Sequence, residues 1–303
     1  MKLTVLGLGC WGLVLTKLLT PRFDEVWGWS REQDLSGDLL ENKRVKTPFY
    51  VELDKKVNIT HNMKEAVKGA DIILLVVSTS AIRTVCEQLK EAGIKDSQIL
   101  VNTSKGLELP SLKRMSEVIK EVLPSQKFAV LSGPTLAREV LEGQPTAACV
   151  ACDDAEIAKF VQKHLNVEGR FRLYTNNDVA GVEFGGSLKN VIAIAAGFLS
   201  ELNMGDNAKG AILTRGMAEI VRVGTALGAN PSTFWGLSGM GDLIATCSSP
   251  LSRNHTVGRM LARGKKIDDI LTELGSVAEG VKTSKAFCEL SEKLYIDTPI
   301  SHA

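Results

Sequence analysis

The first 177 residues alternate short apolar runs, rich in β-branched side chains, with stretches of helical periodicity. The apolar runs are LTVLGLG, EVWGWS, DIILLVVS, ILVNTSKG, FAVLSGP, TAACVAC and FRLYTN, and helical patterns such as SAIRTVCEQLKEAG and SLKRMSEVIKEVL separate several of them. Strands that alternate with helices form βαβ units, in which neighbouring strands run parallel. The alternation therefore predicts an α/β fold built on a mostly parallel sheet.

The sequence changes character after about Asn177, where alanine, leucine and glycine at helical spacing replace the strand pattern. We find no internal repeat, low-complexity segment or long flexible linker between the two parts. The change predicts a boundary near residues 178–182, with an α/β domain over residues 1–180 and an all-helical domain over residues 181–303.

The charge balance excludes one broad class of function. The 303 residues contain 36 Lys and Arg against 35 Asp and Glu, a net charge of +1. A general nucleic-acid binder needs a basic excess, so we expect no nucleic-acid partner. The longest uncharged apolar runs, IILLVV and VIAIAAGFL, fall short of the 18 or more residues that suggest a membrane span. Three glycines and Lys17 near the N-terminus argue against a secretion signal, and we expect a soluble cytoplasmic protein.

Cysteine and histidine give little support for a metal or redox site. Cys149 and Cys152 form a C-x-x-C, but TAACVAC is predicted to be a strand, where residues three apart face opposite sides. Neither a second C-x-x-C nor an H-E-x-x-H is present. We therefore interpret the pair as small buried side chains and predict no metal site.

GLGCWG at residues 7–12 matches the pattern G-x-G-x-x-G, and Gly7, Gly9 and Gly12 are its three glycines. The pattern alone is weak, but here it follows a strand at 3–6 and opens an apolar helix at 11–19, which a dinucleotide site requires. The helix N-terminus would offer N–H groups to a pyrophosphate. A glycine-rich turn without a ligand is the alternative. The motif predicts a Rossmann-type sheet, followed by the all-helical C-terminal domain.

The end of EVWGWS bears on the choice between NADH and NADPH. An NAD site usually has an acid there for the ribose 2′-hydroxyl, about 20 residues after the glycines. This chain has Ser30 and Arg31, followed by Glu32. An arginine can pair with a 2′-phosphate, so NADPH is favoured. Arg31 as a solvated loop residue, or Glu32 in an NADH site, remains the alternative.

Two other predicted strands end in polar residues. Lys105 follows ILVNTS, and Thr135 follows FAVLSGP. Ligands in open parallel sheets bind beyond the carboxyl ends of the strands. We therefore expect both side chains near the nicotinamide end of a dinucleotide. A solvated lysine and a helix N-cap threonine are the alternatives.

The stretch GMGDLIATCSSPLSRNHTVGRML combines a glycine-rich bend at Asp242 with Ser252, Arg253 and Asn254 ahead of a helical run. Ser252 or Asn254 could serve as a helix N-cap. A helix start with a guanidinium and two polar side chains would also suit a phosphate. The sequence alone leaves both interpretations open.

EFGGSLKNVIAIAAG, residues 183–197, places Lys189 in an otherwise apolar helix just after Gly185 and Gly186. Burial should lower the pKa of this ammonium into the range useful for proton transfer. Lys189 could then protonate a carbonyl oxygen that receives a hydride, and Asp242 could hold it in place. A snorkelling lysine is the alternative.

These motifs together resemble those of one protein family. Eight motifs occur in the same order as in that family and extend over essentially the whole chain: GLGCWG, SKGLE, SGPTLAREV, EFGGSLKNVIAIAAG, GDNAKGAILTRGMAEI, GMGDLIATC, LSRNHTVG and VAEGVKT. The sequence is similar to bacterial NAD(P)-dependent glycerol-3-phosphate dehydrogenase. The resemblance implies reversible reduction of dihydroxyacetone phosphate to sn-glycerol 3-phosphate, a phospholipid precursor, with NADP or NAD, and allows a homodimer. A reductase of another substrate and a non-catalytic NAD(P) sensor are the alternatives.

The resemblance also implies roles for individual residues. Lys189 matches the family's proton acceptor for glycerol 3-phosphate oxidation. The cofactor contacts that it implies, beyond the glycines of the motif, are Cys10, Trp11, Arg31, Lys105, Ala137, Arg253, Val277 and Glu279. The substrate contacts that it implies are Lys105, Gly133, Thr135, Lys189, Asp242, Ser252, Arg253 and Asn254. The position of Cys10 usually holds serine or threonine in the family.

Overall fold

The structure is a computed structural model that describes residues 1–46, 49–274 and 278–303. Val277, one of the expected cofactor contacts, lies outside the described residues.

Most of the described strands belong to one sheet. The strands are β1 (Lys2–Leu6), β2 (Glu25–Trp29), β3 (Arg44–Val45), β4 (Val51–Glu52), β5 (Asn58–Thr60), β6 (Ile72–Leu75), β7 (Ile99–Asn102), β8 (Lys127–Ser132), β9 (Thr146–Ala151) and β10 (Phe171–Asn176). The order in the eight-stranded sheet is β10-β9-β8-β7-β6-β1-β2-β5, while β3 and β4 form a separate antiparallel pair. All neighbours in the large sheet are parallel except β8 and β9.

The helices accompany the sheet in the first part of the chain and dominate the second. They are α1 (Cys10–Leu19), α2 (Gly37–Asn42), α3 (Met63–Val67), α4 (Ile82–Glu91), α5 (Met115–Val122), α6 (Ala137–Leu141), α7 (Ala155–Leu165), α8 (Val179–Glu201), α9 (Gly205–Ala226), α10 (Asp242–Ser248), α11 (Arg253–Ala262), α12 (Ile267–Leu274), α13 (Glu279–Lys293) and α14 (Pro299–His302). The predicted fold, a Rossmann-type mostly parallel sheet followed by a helical C-terminal part, is confirmed.

The strand pattern of the sequence follows from burial on both faces of the sheet. Leu3 and Val5 point into one apolar core, and Leu6 points into the other, so β1 is apolar at each of these positions. Each predicted apolar run contains a strand of the sheet. Cys149 and Cys152 lie in different cores, one on each face, as expected for residues three apart in extended backbone.

The short strands were not predicted. β5 has three residues, and β3 and β4 have two each. Segments of this length carry too few alternating positions to show a strand period. The reversal of β9 relative to β8 was also not predicted, because an apolar run does not encode the direction in which a strand joins a sheet.

Helix α8 is the centre of the second half of the molecule. Its N-terminal turn begins at Val179, capped by the Asp178 side chain, which accepts a hydrogen bond from Gly181 N at 2.8 Å. Its length and composition would suit a membrane span, but 78% of its most apolar window is buried inside the protein. Burial within the protein therefore accounts for its apolar sequence.

Close helix packing places α11 directly against α8. A Cβ atom at Gly197 would lie 2.0 Å from His255 O, and one at Gly258 would lie 1.9 Å from Ile194 O. Glycine at both positions lets the two backbones touch. The N-terminal turn of α11 is thereby fixed relative to Lys189 on the same α8.

Candidate active site

The glycine loop between β1 and α1 has the conformation that a dinucleotide cradle needs. Gly7 has φ +103°, and a Cβ there would lie 2.4 Å from Val76 O. A Cβ at Gly12 would lie 1.8 Å from Gly7 O, so only glycine permits this tight strand-to-helix turn. A Cβ at Gly9 would meet nothing within 4 Å. The surface at Gly9 is therefore open to close approach by a ligand.

The N-terminus of α1 supplies hydrogen-bond donors next to that open surface. Gly9 is the N-cap residue without a side-chain bond, and no acid lies in the first turn. Leu13 N bonds to Gly9 O at 2.9 Å, so the N–H groups of Cys10, Trp11 and Gly12 precede the first intrahelical hydrogen bond. Free N–H groups at the positive end of a helix dipole, beside an open glycine surface, fit a pyrophosphate.

Cys10 and Trp11 begin α1. Trp11 packs edge-on against Phe171, with the ring centroids 6.4 Å apart. Burial raises the pKa of the Cys10 thiol, and the nearby Arg253 guanidinium opposes that rise. Arg253 itself is exposed, at the start of α11.

Arg31 follows β2 and is exposed, but its guanidinium already has a partner. Its Nε lies 2.7 Å from Asp34 Oδ2, and its Nη2 lies 3.1 Å from Asp34 Oδ1. Sequence reasoning did not identify Asp34, although an acid three residues after an arginine in a turn is a signal for such a pair. Glu32 is exposed in the same turn.

The centre of the site is a carboxylate between two lysines. Asp242, which is 2% exposed, accepts a hydrogen bond on Oδ1 from Lys189 Nζ at 2.6 Å. Its Oδ2 accepts from Lys105 Nζ at 2.7 Å. Lys105 comes from the end of β7, Lys189 from α8 and Asp242 from the start of α10. The sheet and the helical part of the chain thus meet at a charged cluster, which excludes a solvated Lys105.

Lys189 is fully enclosed. Its Nζ also donates to Thr246 Oγ1, and only 6% of its side chain is exposed. Burial, together with the nearby charge of Lys105, lowers the pKa of Lys189 to about 8, against the attraction of Asp242. A snorkelling lysine would extend its ammonium into solvent, whereas this side chain is almost completely buried and its ammonium bonds to Asp242 and Thr246.

The glycines before Lys189 allow this assembly. A Cβ at Gly186 would lie 2.3 Å from Ser132 Oγ at the end of β8, so α8 rests directly on the sheet. A Cβ at Gly185 would lie 2.7 Å from Ser238 O. Ser238 belongs to a π-helical turn, Leu237–Gly241, that leads straight into Asp242. The two glycines therefore let α8, which carries Lys189, approach both the end of β8 and the turn that leads into Asp242.

Gly133 and Thr135 surround the Lys105 ammonium. Lys105 Nζ donates to Gly133 O at 2.8 Å and lies 3.4 Å from Thr135 Oγ1. The Thr135 hydroxyl donates to Gly133 O at 3.1 Å. The N-cap residue of α6 is Leu136, so the alternative of an N-cap threonine at 135 is wrong. Ala137 is the first residue of that helix.

The SRN segment has a structural function that sequence reasoning had left open. Ser252 is the N-cap of α11, and its Oγ accepts from His255 N at 3.2 Å. Asn254 Nδ2 donates to Asn190 Oδ1 at 2.9 Å, and Asn254 Oδ1 accepts from Gly280 N at 3.0 Å. Asn254 therefore joins α8, α11 and α13. The N-cap bond uses Ser252 Oγ as an acceptor, so it does not occupy the O–H donor of this side chain.

Glu279, at the start of α13, connects the helical part to the sheet. Its Oε2 accepts from Thr79 Oγ1 at 2.9 Å, in the turn that follows β6. The segments at the carboxyl ends of β6, β7 and β8 therefore contact α13, α10 and α8, respectively. Thr79 was not predicted, and neither were Thr246 and Asn190. Thr246 could have been suspected from Asp242, four residues earlier on α10, and Asn190 from the adjacent Lys189, whereas no local signal in the sequence points to Thr79.

Among residues 1–46, 49–274 and 278–303, no group of three or more His, Cys, Asp or Glu side chains is placed to hold a metal ion. Burial raises the pKa of the Cys247 thiol, next to Lys189, to about 12, which leaves it protonated.

Family models and known proteins match almost the whole chain. The family model described as NAD-dependent glycerol-3-phosphate dehydrogenase N-terminus matches residues 2–158, and the corresponding C-terminus model matches residues 178–303. The NAD(P)+ glycerol-3-phosphate dehydrogenase of Thermoanaerobacter sp. (strain X514) is 44% identical over 301 residues, 99% of this chain and 90% of that protein. The corresponding protein of Ligilactobacillus salivarius (strain UCC118) is 45% identical over 312 residues, 100% of this chain and 91% of that protein.

A solved structure has the same fold over almost the whole chain. The crystal structure of glycerol-3-phosphate dehydrogenase from Coxiella burnetii matches with a TM-score of 0.91 and 31% identity, over 99% of this chain and 92% of that chain. The sequence identities and the shared architecture extend over both the sheet and the helical part. The chain therefore belongs to the NAD-dependent glycerol-3-phosphate dehydrogenase family and is an oxidoreductase that uses NAD or NADP.

Proposed function

We propose that this chain transfers a hydride reversibly from NAD(P)H to dihydroxyacetone phosphate, and that Lys189 exchanges the accompanying proton. The product is sn-glycerol 3-phosphate, a precursor for phospholipid synthesis. Family membership supports the reaction. The observation that carries the role of Lys189 is a difference between the two lysines on Asp242.

That difference lies in the number of free N–H donors. An ammonium has three. Lys105 directs its own towards Gly133 O, Asp242 Oδ2 and Thr135 Oγ1. Lys189 uses two, on Asp242 and Thr246, within the described part of the chain. Its third donor is available for a substrate oxygen.

The electrostatics favour the same assignment. A group that gives and takes a proton near neutral pH needs a pKa near the operating pH. Lys189 has that property, because its burial lowers its pKa to about 8. When bound, the nicotinamide supplies or accepts the hydride. Lys189 Nζ then protonates the oxygen that becomes the alcohol, and the neutral amine removes that proton in the reverse direction.

Asp242 keeps this proton exchange local. Its two carboxylate oxygens hold Lys105 and Lys189 separately, so the loss of one proton does not release the other lysine. One carboxylate between two ammonium groups gives Lys105, Asp242 and Lys189 together a net charge of +1. That surplus suits an anionic substrate and an oxygen that gains negative charge during reduction.

The cofactor would be held by the glycine loop and the first turn of α1. Gly7, Gly9 and Gly12 shape the turn. The N–H groups of residues 10–12, at the start of α1, would donate to the pyrophosphate. Arg31 would bind a 2′-phosphate, which favours NADPH. The further cofactor contacts that we propose are Cys10, Trp11, Lys105, Ala137, Arg253, Val277 and Glu279.

The phosphate of the substrate would lie at the start of α11. Ser252 and Arg253 open a ten-residue helix, where a hydroxyl, a guanidinium and free N–H groups come together. Asn254 would complete the site chiefly by fixing this turn. We also place Gly133 and Thr135 at the substrate, because both contact Lys105.

Three organisational proposals accompany this function. We propose a dinucleotide-binding domain at 1–180 and a helical substrate domain at 181–303, supported by the start of α8 at Val179 and of the C-terminal family match at residue 178. We also propose a cytoplasmic location and a homodimer. Light scattering on the purified chain tests the homodimer.

The test of the reaction is the oxidation of NADPH and of NADH by the purified chain with dihydroxyacetone phosphate. Unphosphorylated dihydroxyacetone is the control substrate. We expect turnover that depends on the phosphate, because an uncharged substrate leaves the α11 site unused. Equal turnover of both ketones would show that the proposed phosphate site is wrong. Turnover of neither would show that the proposed substrate is wrong.

A further inference from the structure

We propose that Asp34 sets the cofactor selectivity of this chain by competing with the 2′-phosphate of NADPH for the guanidinium of Arg31. This inference rests on the proposed function, in which Arg31 faces the adenosine ribose. It adds a residue outside the glycine motif that lowers the NADPH preference that Arg31 alone would confer.

The competition follows from the geometry of the pair. Arg31 Nε and Nη2 donate to the two carboxylate oxygens of Asp34, at 2.7 Å and 3.1 Å. This is the two-pronged arrangement that an arginine also uses for a phosphate. A phosphate that takes the same edge must displace the carboxylate or bind beside it.

The backbone holds Asp34 in that position. Arg31 is the extended N-cap residue of the 3₁₀ turn Glu32–Asp34, and Asp34 N donates to Arg31 O at 2.9 Å. The two side chains therefore meet through a short closed turn. Asp34 cannot move far from Arg31 without opening that turn.

The pair lies where the ribose end of a dinucleotide is expected. Leu6 of β1 is in register with Trp29 of β2, and Gly7 N donates to Trp29 O at 2.8 Å. Arg31 is two residues beyond that hydrogen bond, so it continues from the strand that adjoins the glycine loop. In this fold the end of the second strand meets the ribose hydroxyls.

The charges set the direction of the effect. A 2′-phosphate is an anion close to the Asp34 carboxylate, whereas the 2′-hydroxyl of NADH carries no charge. The carboxylate therefore weakens NADPH binding through both repulsion and competition, and leaves NADH largely unaffected. Both side chains are exposed, at 65% and 40%, so solvent screening keeps the effect moderate.

The test measures binding and not turnover. Calorimetry with NADPH, NADH, 2′,5′-ADP and 5′-ADP separates the 2′-phosphate from the rest of the cofactor. The variants are Asp34→Asn, Arg31→Ala and the double variant. Asp38→Asn is the matched control, because it removes one negative charge from the neighbouring α2, where Asp38 accepts from Asn42 at 2.8 Å.

We expect Asp34→Asn to tighten NADPH and 2′,5′-ADP by about fivefold, a size typical of exposed charge pairs. NADH and 5′-ADP should change by less than about twofold, as should all four ligands in the control. The gain should be smaller in the Arg31→Ala background, because the competition for the guanidinium is then absent and only the direct repulsion of the 2′-phosphate by Asp34 remains. A purely structural role for Asp34 would not separate the 2′-phosphorylated ligands from the others.

The contrary outcomes are distinct. Unchanged or weaker NADPH binding in Asp34→Asn, with Arg31→Ala still weakening NADPH, overturns the competition alone. If Arg31→Ala leaves 2′,5′-ADP binding unchanged, the placement of Arg31 is wrong and the competition falls with it. If the original chain binds none of the four ligands, the proposed cofactor site itself fails.

Discussion

Replacement of Asp242 by asparagine should displace the pH dependence of the reduction. The change removes the carboxylate and retains the size of the side chain. Lys189 Nζ then lies beside a neutral amide, with the charge of Lys105 still nearby. The pKa of Lys189, about 8 in the original chain, must therefore fall.

The size of the shift follows from the distance between the charges. Lys189 Nζ lies 2.6 Å from Asp242 Oδ1. With the carboxylate charge shared between both oxygens, we take an effective separation of about 4 Å, at which two unit charges attract by about 4 kcal/mol at a dielectric constant of about 20. One pKa unit corresponds to about 1.4 kcal/mol, so the loss of Asp242 lowers the pKa of Lys189 by about three units, to about 5. At pH 7 about 1% of the variant then carries the required ammonium, which predicts about a hundredfold loss in the rate of reduction.

The assay is kcat/KM for dihydroxyacetone phosphate between pH 5 and 9, because this quantity reports the free enzyme. Asp206→Asn removes one charge from an exposed position on α9 and is the control. Circular dichroism at each pH confirms that the variant is folded. A midpoint that stays near pH 8 in Asp242→Asn would refute the assignment of that midpoint to Lys189 beside Asp242.

Three further perturbations address other parts of the account. In the original chain, kcat/KM for glycerol 3-phosphate oxidation should rise with pH through about 8, because the reverse reaction needs neutral Lys189, and a flat profile would count against it. Gly186→Ala should lower the free energy of unfolding by about 1–3 kcal/mol, because the new Cβ would lie 2.3 Å from Ser132 Oγ. Denaturant unfolding measures this loss, and unaltered stability would contradict the close packing. Arg253→Ala should raise KM for dihydroxyacetone phosphate at least about tenfold with a smaller change in kcat, by loss of a charged hydrogen bond to phosphate, and an unchanged KM would place the phosphate elsewhere.

The sequence predicted those features of the fold that repeat locally. Apolar runs marked strands because both faces of the sheet are covered, and the glycine motif located the turn between β1 and α1. The direction of β9 is set by its connection and its neighbours, which a short apolar run does not encode. β3, β4 and β5 are too short to show a period.

The candidate site was predictable residue by residue but not as an arrangement. Lys105 and Lys189 each stood out as a polar group in an unusual setting. Their common bond to Asp242 joins residues 137 and 53 positions apart in the chain, which no local pattern records. For Asn254 the sequence suggested a phosphate contact, because it lies at a helix start beside a serine and an arginine. The structure shows that its side chain bonds to Asn190 and Gly280, two partners that the sequence did not indicate.

The most direct test of the central claim is the turnover of Lys189→Ala with dihydroxyacetone phosphate, measured beside its affinity for NADPH. We expect kcat to fall about a thousandfold or more, because the general acid is missing. The affinity for NADPH should be unchanged, and added methylamine should restore part of the turnover. Near-normal turnover in Lys189→Ala would contradict the claim.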